Sequence, residues 1–225
     1  MTGGEHSARG GDPPQPAAPA AGLRKARVAV LLSGRGSNFA ALARAMAAGE
    51  VPGEIVLVFS NRPDVPGLAL ARDLGLPTAA IPGAGRERAD YDRLVVAELR
   101  RAGAEWVCLA GYMRLLSGVF LAAFPGRVLN IHPSLLPAFP GLEAQRQALE
   151  YGVKFSGCTV HWVDETVDGG PILAQAVVPV LDDDDEARLA ERILEQEHQL
   201  YPRALRLALS GEFRLEGRRV VRRRL

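Results

Sequence analysis

The chain has 225 residues, and 48% of them are hydrophobic, which is enough for one α/β domain with a sizeable core. Its 27 basic and 26 acidic side chains leave a net charge of +1 at pH 7. This balance argues against binding to nucleic acid or to a membrane surface, because both would require a strong basic excess. With no long apolar run and no signal-peptide pattern, we expect a soluble, cytoplasmic protein.

Composition also sets expectations for the cysteines and for both ends of the chain. Cys108 and Cys158 each lie in an apolar run without a partner at metal-ligand spacing, which predicts buried, inert thiols and no metal site. Residues 1–25 are rich in Gly, Pro and Ala and predict a disordered tail, which leaves residues 26–225 as a single domain. A basic cluster near the other end is typical of a solvated terminal strand rather than a binding patch. The cluster comprises Arg218, Arg219, Arg222, Arg223 and Arg224.

The first half of the chain alternates between strand-like and helical patterns. Short unbroken apolar runs predict strands buried on both faces, and apolar residues at helical spacing lie between them. The predicted strands cover residues 28–32, 55–59, 78–81 and 106–110, and the helices have apolar faces within residues 39–46, 65–74 and 91–99. This alternation predicts a parallel, doubly wound sheet.

The second half is less regular. Residues 128–132 predict a strand, which leads into a segment with too many prolines for a helix or a central strand, residues 133–141. The further predictions are a helix near 142–151, strands at 158–163 and 172–180, a long helix at 185–209, and a hairpin of residues 213–215 and 220–222. Together the elements predict an α/β, Rossmann-like, mostly parallel sheet flanked by helices in a single domain.

The turn after the first strand, SGRGSN at residues 33–38, is a candidate phosphate site. Gly34 and Gly36 let the backbone approach a ligand closely, and the next helix presents unpaired N–H groups and a positive dipole end. Ser37 and Asn38 could donate to phosphate oxygens, although Ser37 could equally be only the helix N-cap. The turn lacks the third glycine of the dinucleotide-binding fingerprint.

A second candidate site lies at the carboxyl end of the strand that contains Asn130 and His132. These two side chains project to the same side of the strand, towards the crevice where open α/β sheets bind ligands. Asp168, in a loop closed by two glycines, becomes a candidate only if the fold brings it beside His132. His161 and His198 are interpreted as structural, the first in a strand and the second on a polar helix face.

Six motifs, taken in chain order, resemble those of the phosphoribosylglycinamide formyltransferases, which are folate-dependent enzymes. They are VLLSGRGSN at 30–38, FSN at 59–61, AGYMRLL at 110–116, LNIHPSLLP at 129–137, DGGP at 168–171 and QEH at 196–198. The resemblance extends from about Val28 to Gly211. The block that ends in LLP is the most specific, and the glycine turn is specific mainly in combination with it.

The resemblance implies a formyltransferase fold and transfer of a formyl group from 10-formyltetrahydrofolate, as co-substrate, to the amine of glycinamide ribonucleotide in purine biosynthesis. It also implies no metal, and a monomer or homodimer. The implied catalytic residues are Asn130, His132 and Asp168. The residues implied to bind glycinamide ribonucleotide are Gly36, Ser37, Asn38, Arg88 (at the phosphate), Asn130 and Glu197. The residues implied to bind folate are Met113, Arg114, Leu115, Leu116, Asp164, Glu165, Thr166, Val167 and Asp168. Many relatives have a histidine where this chain has Gln145, so no role is assigned there.

The implied chemistry is attack of a primary amine on a formamide carbon, through a tetrahedral oxyanion. We expect Asn130 and protonated His132 to stabilise that charge. We expect Asp168 to favour the imidazolium and to help relay a proton to the leaving folate nitrogen. Proximity of the two bound substrates supplies much of the acceleration.

Three related enzymes and one non-catalytic protein fit parts of this pattern. Methionyl-tRNA formyltransferase has a further C-terminal domain and formyltetrahydrofolate deformylase has an N-terminal regulatory domain, and this sequence shows neither. A sugar-nucleotide formyltransferase would differ in the amine that it accepts. A nucleotide-binding sensor with the same fold would not need Asn130, His132 and Asp168 together, so the sequence favours an enzyme.

Overall fold

The computed structural model describes residues 24–223, which form nine strands and six helices. The strands are β1 (Ala26–Leu32), β2 (Gly53–Ser60), β3 (Thr78–Ala80), β4 (Trp106–Leu109), β5 (Val128–His132), β6 (Phe155–Trp162), β7 (Ile172–Pro179), β8 (Phe213–Glu216) and β9 (Arg219–Arg222). The helices are α1 (Ser37–Ala47), α2 (Pro66–Asp73), α3 (Arg88–Arg101), α4 (Gly118–Ala123), α5 (Ala144–Tyr151) and α6 (Glu186–Ser210). Within residues 24–223, no helix is both long and apolar enough to span a membrane.

All nine strands belong to one sheet, in the order β3-β2-β1-β4-β5-β6-β7-β9-β8. Strands β1 to β5 pair in parallel, as their apolar runs and the intervening helices predict. The direction then changes, since β6 is antiparallel to both β5 and β7. β9 pairs in parallel with β7, and β8 closes a hairpin with β9. The predicted α/β fold with a mostly parallel sheet is confirmed, with antiparallel pairings among the later strands.

Helices cover both faces of the sheet. On one face α1, α2 and α6 bury Leu42, Leu68 and Leu205 completely. On the other face α3 and α4 bury Tyr91 and Phe120. Burying each of these leucines stabilises the fold by about 2 kcal/mol. The carboxyl ends of β1, β4 and β5 are thereby held between two helical layers, at the edge where an open α/β sheet binds ligands.

Several boundaries differ from the prediction by a few residues, and the largest differences concern α4 and β6. The helix α4 was not predicted, because its six residues are too few to show a helical period. Strand β6 begins at Phe155, three residues before its predicted start at 158. The prediction started too late because Gly157 interrupts the apolar pattern. A Cβ on Gly157 would lie 1.9 Å from the Ala176 carbonyl oxygen of β7. The close approach of the two strands therefore requires glycine at this position.

The start of the described chain is attached to the domain. Most of the tail predicted over residues 1–25 lies outside the described residues, so its disorder stays a prediction. Arg24 is described, and it forms an ion pair with Glu105, the residue before β4. The contact ties a residue of the predicted tail to the domain.

The other end of the described chain forms the predicted hairpin, β8 and β9. Of the basic cluster, Arg224 lies outside the described residues. The Arg218 side chain, at the hairpin turn, donates to the Gly169 carbonyl oxygen. Arg218 therefore contacts another segment of the protein, whereas the cluster was interpreted as a solvated strand.

Candidate active site

The turn between β1 and α1 carries the predicted phosphate-binding residues. Gly36, immediately before α1, has a left-handed backbone with φ 78°. A Cβ there would lie 2.8 Å from the Gly67 Cα near the start of α2, so both conformation and packing require glycine. The Gly67 N–H donates to the Gly34 carbonyl oxygen over 3.1 Å, which holds the turn against α2.

The first turn of α1 is open to a ligand. The helix has no side-chain cap and Gly36 precedes it, so the interpretation of Ser37 as an N-cap is wrong. The Ala40 N–H donates to the Gly36 carbonyl oxygen over 2.9 Å, which begins the helical hydrogen bonding. The N–H groups of Ser37, Asn38 and Phe39 come earlier and have no helical acceptor, and the positive end of the helix dipole lies beside them. This geometry suits a phosphate.

Asn38 links this turn to the last long helix. Its Nδ2 donates to Oε2 of Glu197 on α6 over 2.7 Å, and Glu197 is only 6% exposed. Burial raises the pKa of Glu197 to about 7, although the hydrogen bond from Asn38 opposes the shift. The Oδ1 atom of Asn38 is buried without a hydrogen-bond partner among residues 24–223. Two predicted nucleotide-binding residues therefore meet in one buried pair that retains a spare acceptor.

The three predicted catalytic residues come together at the end of β5. Asn130 and His132 belong to that strand two residues apart, and therefore point to the same side. The Nδ1 atom of His132 is 3.3 Å from Oδ2 of Asp168, and Nδ2 of Asn130 is 3.4 Å from Oδ1 of Asp168. Asp168 therefore lies beside His132, the position that makes it a candidate catalytic residue.

The loop between β6 and β7 places Asp168 at the centre of this cluster. Its φ of 49° is left-handed, an uncommon value outside glycine. Its Oδ2 also accepts from the Gly141 N–H over 2.8 Å, which ties the proline-rich segment to the loop. A Cβ on Gly170 would lie 1.8 Å from the Trp162 carbonyl oxygen. Glycine after Asp168 is thus what lets the loop fold back tightly enough for a carboxylate to reach β5.

His161 belongs to the cluster, although its position in a strand predicted a structural role. It lies opposite Asn130 in the antiparallel register, with its Nε2 atom 3.1 Å from Nδ2 of Asn130 and 3.6 Å from Oδ1 of Asp168. Its Nδ1 is 2.8 Å from the Trp162 carbonyl oxygen, which can only accept a hydrogen bond. Nδ1 therefore carries a proton, and Nε2 is the ring atom that accepts from Asn130. The sequence contained no signal for this contact, because the direction of β6 was not predicted.

Two acceptors face the ring of His132. Its Nε2 is 2.8 Å from the Phe139 carbonyl oxygen and its Nδ1 faces Asp168, so only a doubly protonated ring can donate to both. Burial nevertheless lowers the pKa of His132, and the two acceptors offset part of this effect. Burial raises the pKa of Asp168, but the hydrogen bond from the Gly141 N–H and the facing ring of His132 contribute to a net downward shift. Asp168 is therefore the persistent negative charge of the site.

The predicted folate segment at residues 113–116 is attached to the turns beside it. The Met113 N–H donates to Oγ of Ser33 over 2.8 Å, and this hydroxyl in turn donates to Oδ1 of Asn61 over 2.6 Å. The side chains of Met113 and Leu115 are 66% and 53% exposed. A fixed backbone with exposed apolar side chains suits the ring system of an aromatic ligand.

Arg114, in the same segment, is already engaged by the protein. Its guanidinium lies 4.2 Å from the centre of the Tyr91 ring, and its Nη1 donates to the Gly83 carbonyl oxygen over 2.9 Å. These contacts fix the segment against α3. Any contact of Arg114 with a ligand is thereby left mainly to its backbone.

A cavity of about 690 Å³ opens beside this segment. Its lining includes Leu116, from the 113–116 segment, and Glu165, from the loop that ends at Asp168, so the two predicted folate segments meet here. Arg88, the first residue of α3, lines the same cavity, whereas no residue of the turn at 33–38 does. This placement favours the folate side for Arg88 and argues against the phosphate role that the resemblance implied.

The rest of the loop before β7 has its own internal contacts. The Thr166 N–H donates to Oδ1 of Asp164 over 2.9 Å, and the Gly169 N–H donates to the Thr166 carbonyl oxygen over 3.1 Å. Val167 is 48% exposed. The Gly169 carbonyl oxygen accepts from Arg218, so the terminal hairpin braces the loop. Asp168 is held in this way from both sides.

Two solved structures that resemble this chain are named as the same type of enzyme. Glycinamide ribonucleotide transformylase 1 from Symbiobacterium toebii is 51% identical, with a TM-score of 0.86, and the match covers 88% of this chain and 94% of that chain. Phosphoribosylglycinamide formyltransferase from Brucella melitensis is 49% identical, with a TM-score of 0.78, and the match covers 84% of this chain and 97% of that chain. The resemblance therefore extends to the whole of each structure.

Sequence relatives agree with the structures. Phosphoribosylglycinamide formyltransferase of Escherichia coli (strain K12) is 42% identical over 189 residues, which is 84% of this chain and 89% of that protein. The trifunctional purine biosynthetic protein adenosine-3 of Drosophila melanogaster is 49% identical over 191 residues, but the chain spans 14% of its length. The formyl transferase family model matches residues 26–205. The resemblance found in the motifs is confirmed: the chain belongs to the formyl transferase family, among the phosphoribosylglycinamide formyltransferases.

Proposed function

We propose that this chain transfers the formyl group of 10-formyltetrahydrofolate to the amine of glycinamide ribonucleotide, which yields formylglycinamide ribonucleotide and tetrahydrofolate. The observation that carries the proposal is the cluster of Asn130, His132 and Asp168, in which His132 is buried and the other two are half-buried. It shares the carboxyl edge of the sheet with an open helix terminus that suits a phosphate and with a cavity for a second ligand. A transferase needs two neighbouring substrate sites of this kind.

The nucleotide occupies the side of the site at α1 in this proposal. Its phosphate accepts hydrogen bonds from the N–H groups at the start of the helix and from Ser37. The spare Oδ1 of Asn38 and the carboxyl group of Glu197 are acceptors, which suits the hydroxyl groups of a ribose. The amine then extends towards β5.

Transfer proceeds by addition and elimination at the formyl carbon. The amine nitrogen forms a bond to that carbon, the carbonyl electron pair moves to oxygen, and the bond to the folate nitrogen then breaks as the carbonyl reforms. One proton leaves the amine and one reaches the folate nitrogen, so no external reagent is consumed. Nδ2 of Asn130 faces His161 and Asp168, so its Oδ1 is the atom available to accept a hydrogen from the amine. This differs from the oxyanion role expected from the sequence.

His132 stabilises the oxyanion and moves the proton. Asp168 holds Nδ1–H, which leaves Nε2–H as the donor to the formyl oxygen and then to the folate nitrogen. The Phe139 carbonyl oxygen takes the hydrogen bond of Nε2, so formyl binding must displace it. Because burial lowers the pKa of His132, the carboxylate of Asp168 is needed to support its protonated form.

Folate occupies the cavity beside residues 113–116 in this proposal. Met113 and Leu115 supply exposed apolar surface, and the rim includes Arg88. Folates carry carboxylates at the end remote from the formyl group, and a guanidinium at the rim suits such an anion. Arg88 is accordingly assigned to the folate.

Formyl transfer can be measured directly from the absorbance change as 10-formyltetrahydrofolate loses its formyl group. We expect release that depends on glycinamide ribonucleotide. Release without the nucleotide would instead identify a deformylase. If neither condition gives release, the proposal is wrong, and sugar nucleotides with a free amine become the next acceptors to test.

A further inference from the structure

A second cavity, of about 380 Å³, lies between α1 and α6 and shares no lining residue with the candidate active site. Its walls include the buried residues Ala41 and Ala45 of α1 and Pro202 of α6. Small side chains at this helix contact leave the space open. The volume is within the range that small-molecule sites occupy and is too small for a macromolecular segment with side chains of its own.

The charges around this cavity are unbalanced. Arg44 of α1 and Arg203 and Arg206 of α6 line it, together with a single acidic residue, Glu50. None of the three arginines forms an ion pair with an acid within the described part of the chain, residues 24–223. Arg203 and Arg206 are three positions apart on one helix face, where like charges repel. An anion in the cavity would remove this repulsion.

His198 adds an unused polar atom. It lines the cavity, and its Nε2 is buried without a hydrogen-bond partner among residues 24–223. Burial and the charge of Arg44 lower its pKa, so the ring is neutral at physiological pH and can donate from one nitrogen. A buried nitrogen without a partner is destabilising unless a ligand or water satisfies it. It is the second, independent feature that points to a ligand.

We propose that this cavity binds a small, multiply charged phosphate compound, a class of which pyrophosphate is the simplest example. The three guanidinium groups contact phosphate oxygens at the rim, and the His198 ring donates from the floor. Such a ligand bridges α1 and α6 within about three turns of Asn38 and Glu197, the residues that join the same helices at the candidate active site. It therefore holds these two helices together from a second point. The proposal is independent of the formyl transfer reaction.

The test is calorimetric titration of the full chain with pyrophosphate, without folate or nucleotide. We compare the wild-type chain with Arg203→Gln/Arg206→Gln, and with Arg72→Gln/Arg100→Gln as the matched control, which removes two exposed arginines from α2 and α3. We expect the site variant to bind at least about tenfold more weakly and the control variant to bind like the wild type. Far-UV circular dichroism checks that each variant is folded.

A substitution on α1 tests whether a loss of pyrophosphate binding reflects more than a local change in α6. Arg44→Gln changes an exposed side chain of α1 and should weaken binding as well. The proposal is overturned if the wild-type chain does not bind pyrophosphate. It is also overturned if affinity falls in Ser37→Ala and not in the arginine variants, because the anion would then occupy the first turn of α1.

Discussion

Asn38 and Glu197 lie 159 residues apart in the chain and share a buried hydrogen bond of 2.7 Å between Nδ2 and Oε2. The bond joins the first and last helices of the domain at the terminus proposed to hold a phosphate. Because Glu197 is buried and has no cationic partner within residues 24–223, its carboxyl group is easier to keep neutral than charged. The contact therefore couples proton binding, folding and the nucleotide side of the site.

Glu197 should make the stability of the fold depend on pH. Burial raises its pKa from 4.5 to about 7, so its stabilising contribution is full below the unfolded value and is lost as pH rises through the folded value. The loss amounts to roughly 3 kcal/mol. Urea unfolding at about pH 4.5 and about pH 8 measures it. We expect Glu197→Gln to lose less stability over this range than the wild type, whereas the exposed control Glu195→Gln should follow the wild type. Equal slopes for both variants would contradict the assignment.

Asp168→Asn should abolish most of the turnover. The substitution removes the negative charge that supports the His132 imidazolium, so we expect kcat to fall by about 10²-fold or more while nucleotide binding changes little. The alkaline limb of the kcat profile should move to lower pH, because an amide in place of the Asp168 carboxylate does not raise the pKa of His132. Steady-state kinetics across pH check both points, with the exposed Asp73→Asn as control. Near-normal turnover in Asp168→Asn would remove it from the mechanism.

His161 should act as a positioning residue. Its Nε2 accepts from Asn130 and thereby orients the amide. We expect His161→Leu to lower kcat by about tenfold to a hundredfold with little change in KM, since misplacing a reacting group affects mainly the chemical step. His161→Gln retains an acceptor and should recover part of the loss. A purely structural histidine would instead lower the unfolding free energy in both variants without this split between kcat and KM.

Arg88→Ala tests whether this side chain acts on the folate or on the phosphate of the nucleotide. The cavity that Arg88 lines contains Leu116 and Glu165, so we expect the KM for 10-formyltetrahydrofolate to rise by about tenfold and the KM for the nucleotide to stay constant. The neighbouring exposed Arg86→Ala is the control. A rise confined to the nucleotide KM would return Arg88 to the phosphate.

Arg218→Ala should loosen the loop that holds Asp168. The side chain donates to the Gly169 carbonyl oxygen from the terminal hairpin, and Asp168 has an uncommon backbone conformation that depends on its surroundings. We expect a severalfold drop in kcat and faster amide hydrogen exchange in the loop, with normal behaviour for Arg223→Ala. Unchanged exchange would show that the hairpin does not brace the loop.

Local patterns in the sequence predicted the frame of the site well. The strand at 128–132 was predicted with the bounds of β5, because its apolar run ends sharply at Pro133. The two-residue period then placed Asn130 and His132 on one side without knowledge of the fold. Leu189, Ile193 and Leu205 mark the buried face of α6 by their spacing alone.

Contacts between distant segments could not be predicted in this way. The pairing of His161 with Asn130 depends on the direction of β6, and apolar alternation does not encode strand direction. The contact between Arg218 and Gly169 depends on where the hairpin joins the sheet, beside β7. Arg88 was assigned from the resemblance, and its neighbours became visible only when α3 was placed beside residues 113–116.

The packing of α6 against α1 also has a consequence for synthesis of the protein. At typical ribosome rates, the interval between Asn38 and Glu197 leaving the translation machinery is on the order of ten seconds. During that time the apolar face of α1, including Phe39 and Leu42, lacks the helix that covers it. A nascent chain released before α6 is complete therefore exposes a hydrophobic surface and is prone to aggregate, with the first turn of α1 still lacking its partner carboxyl group.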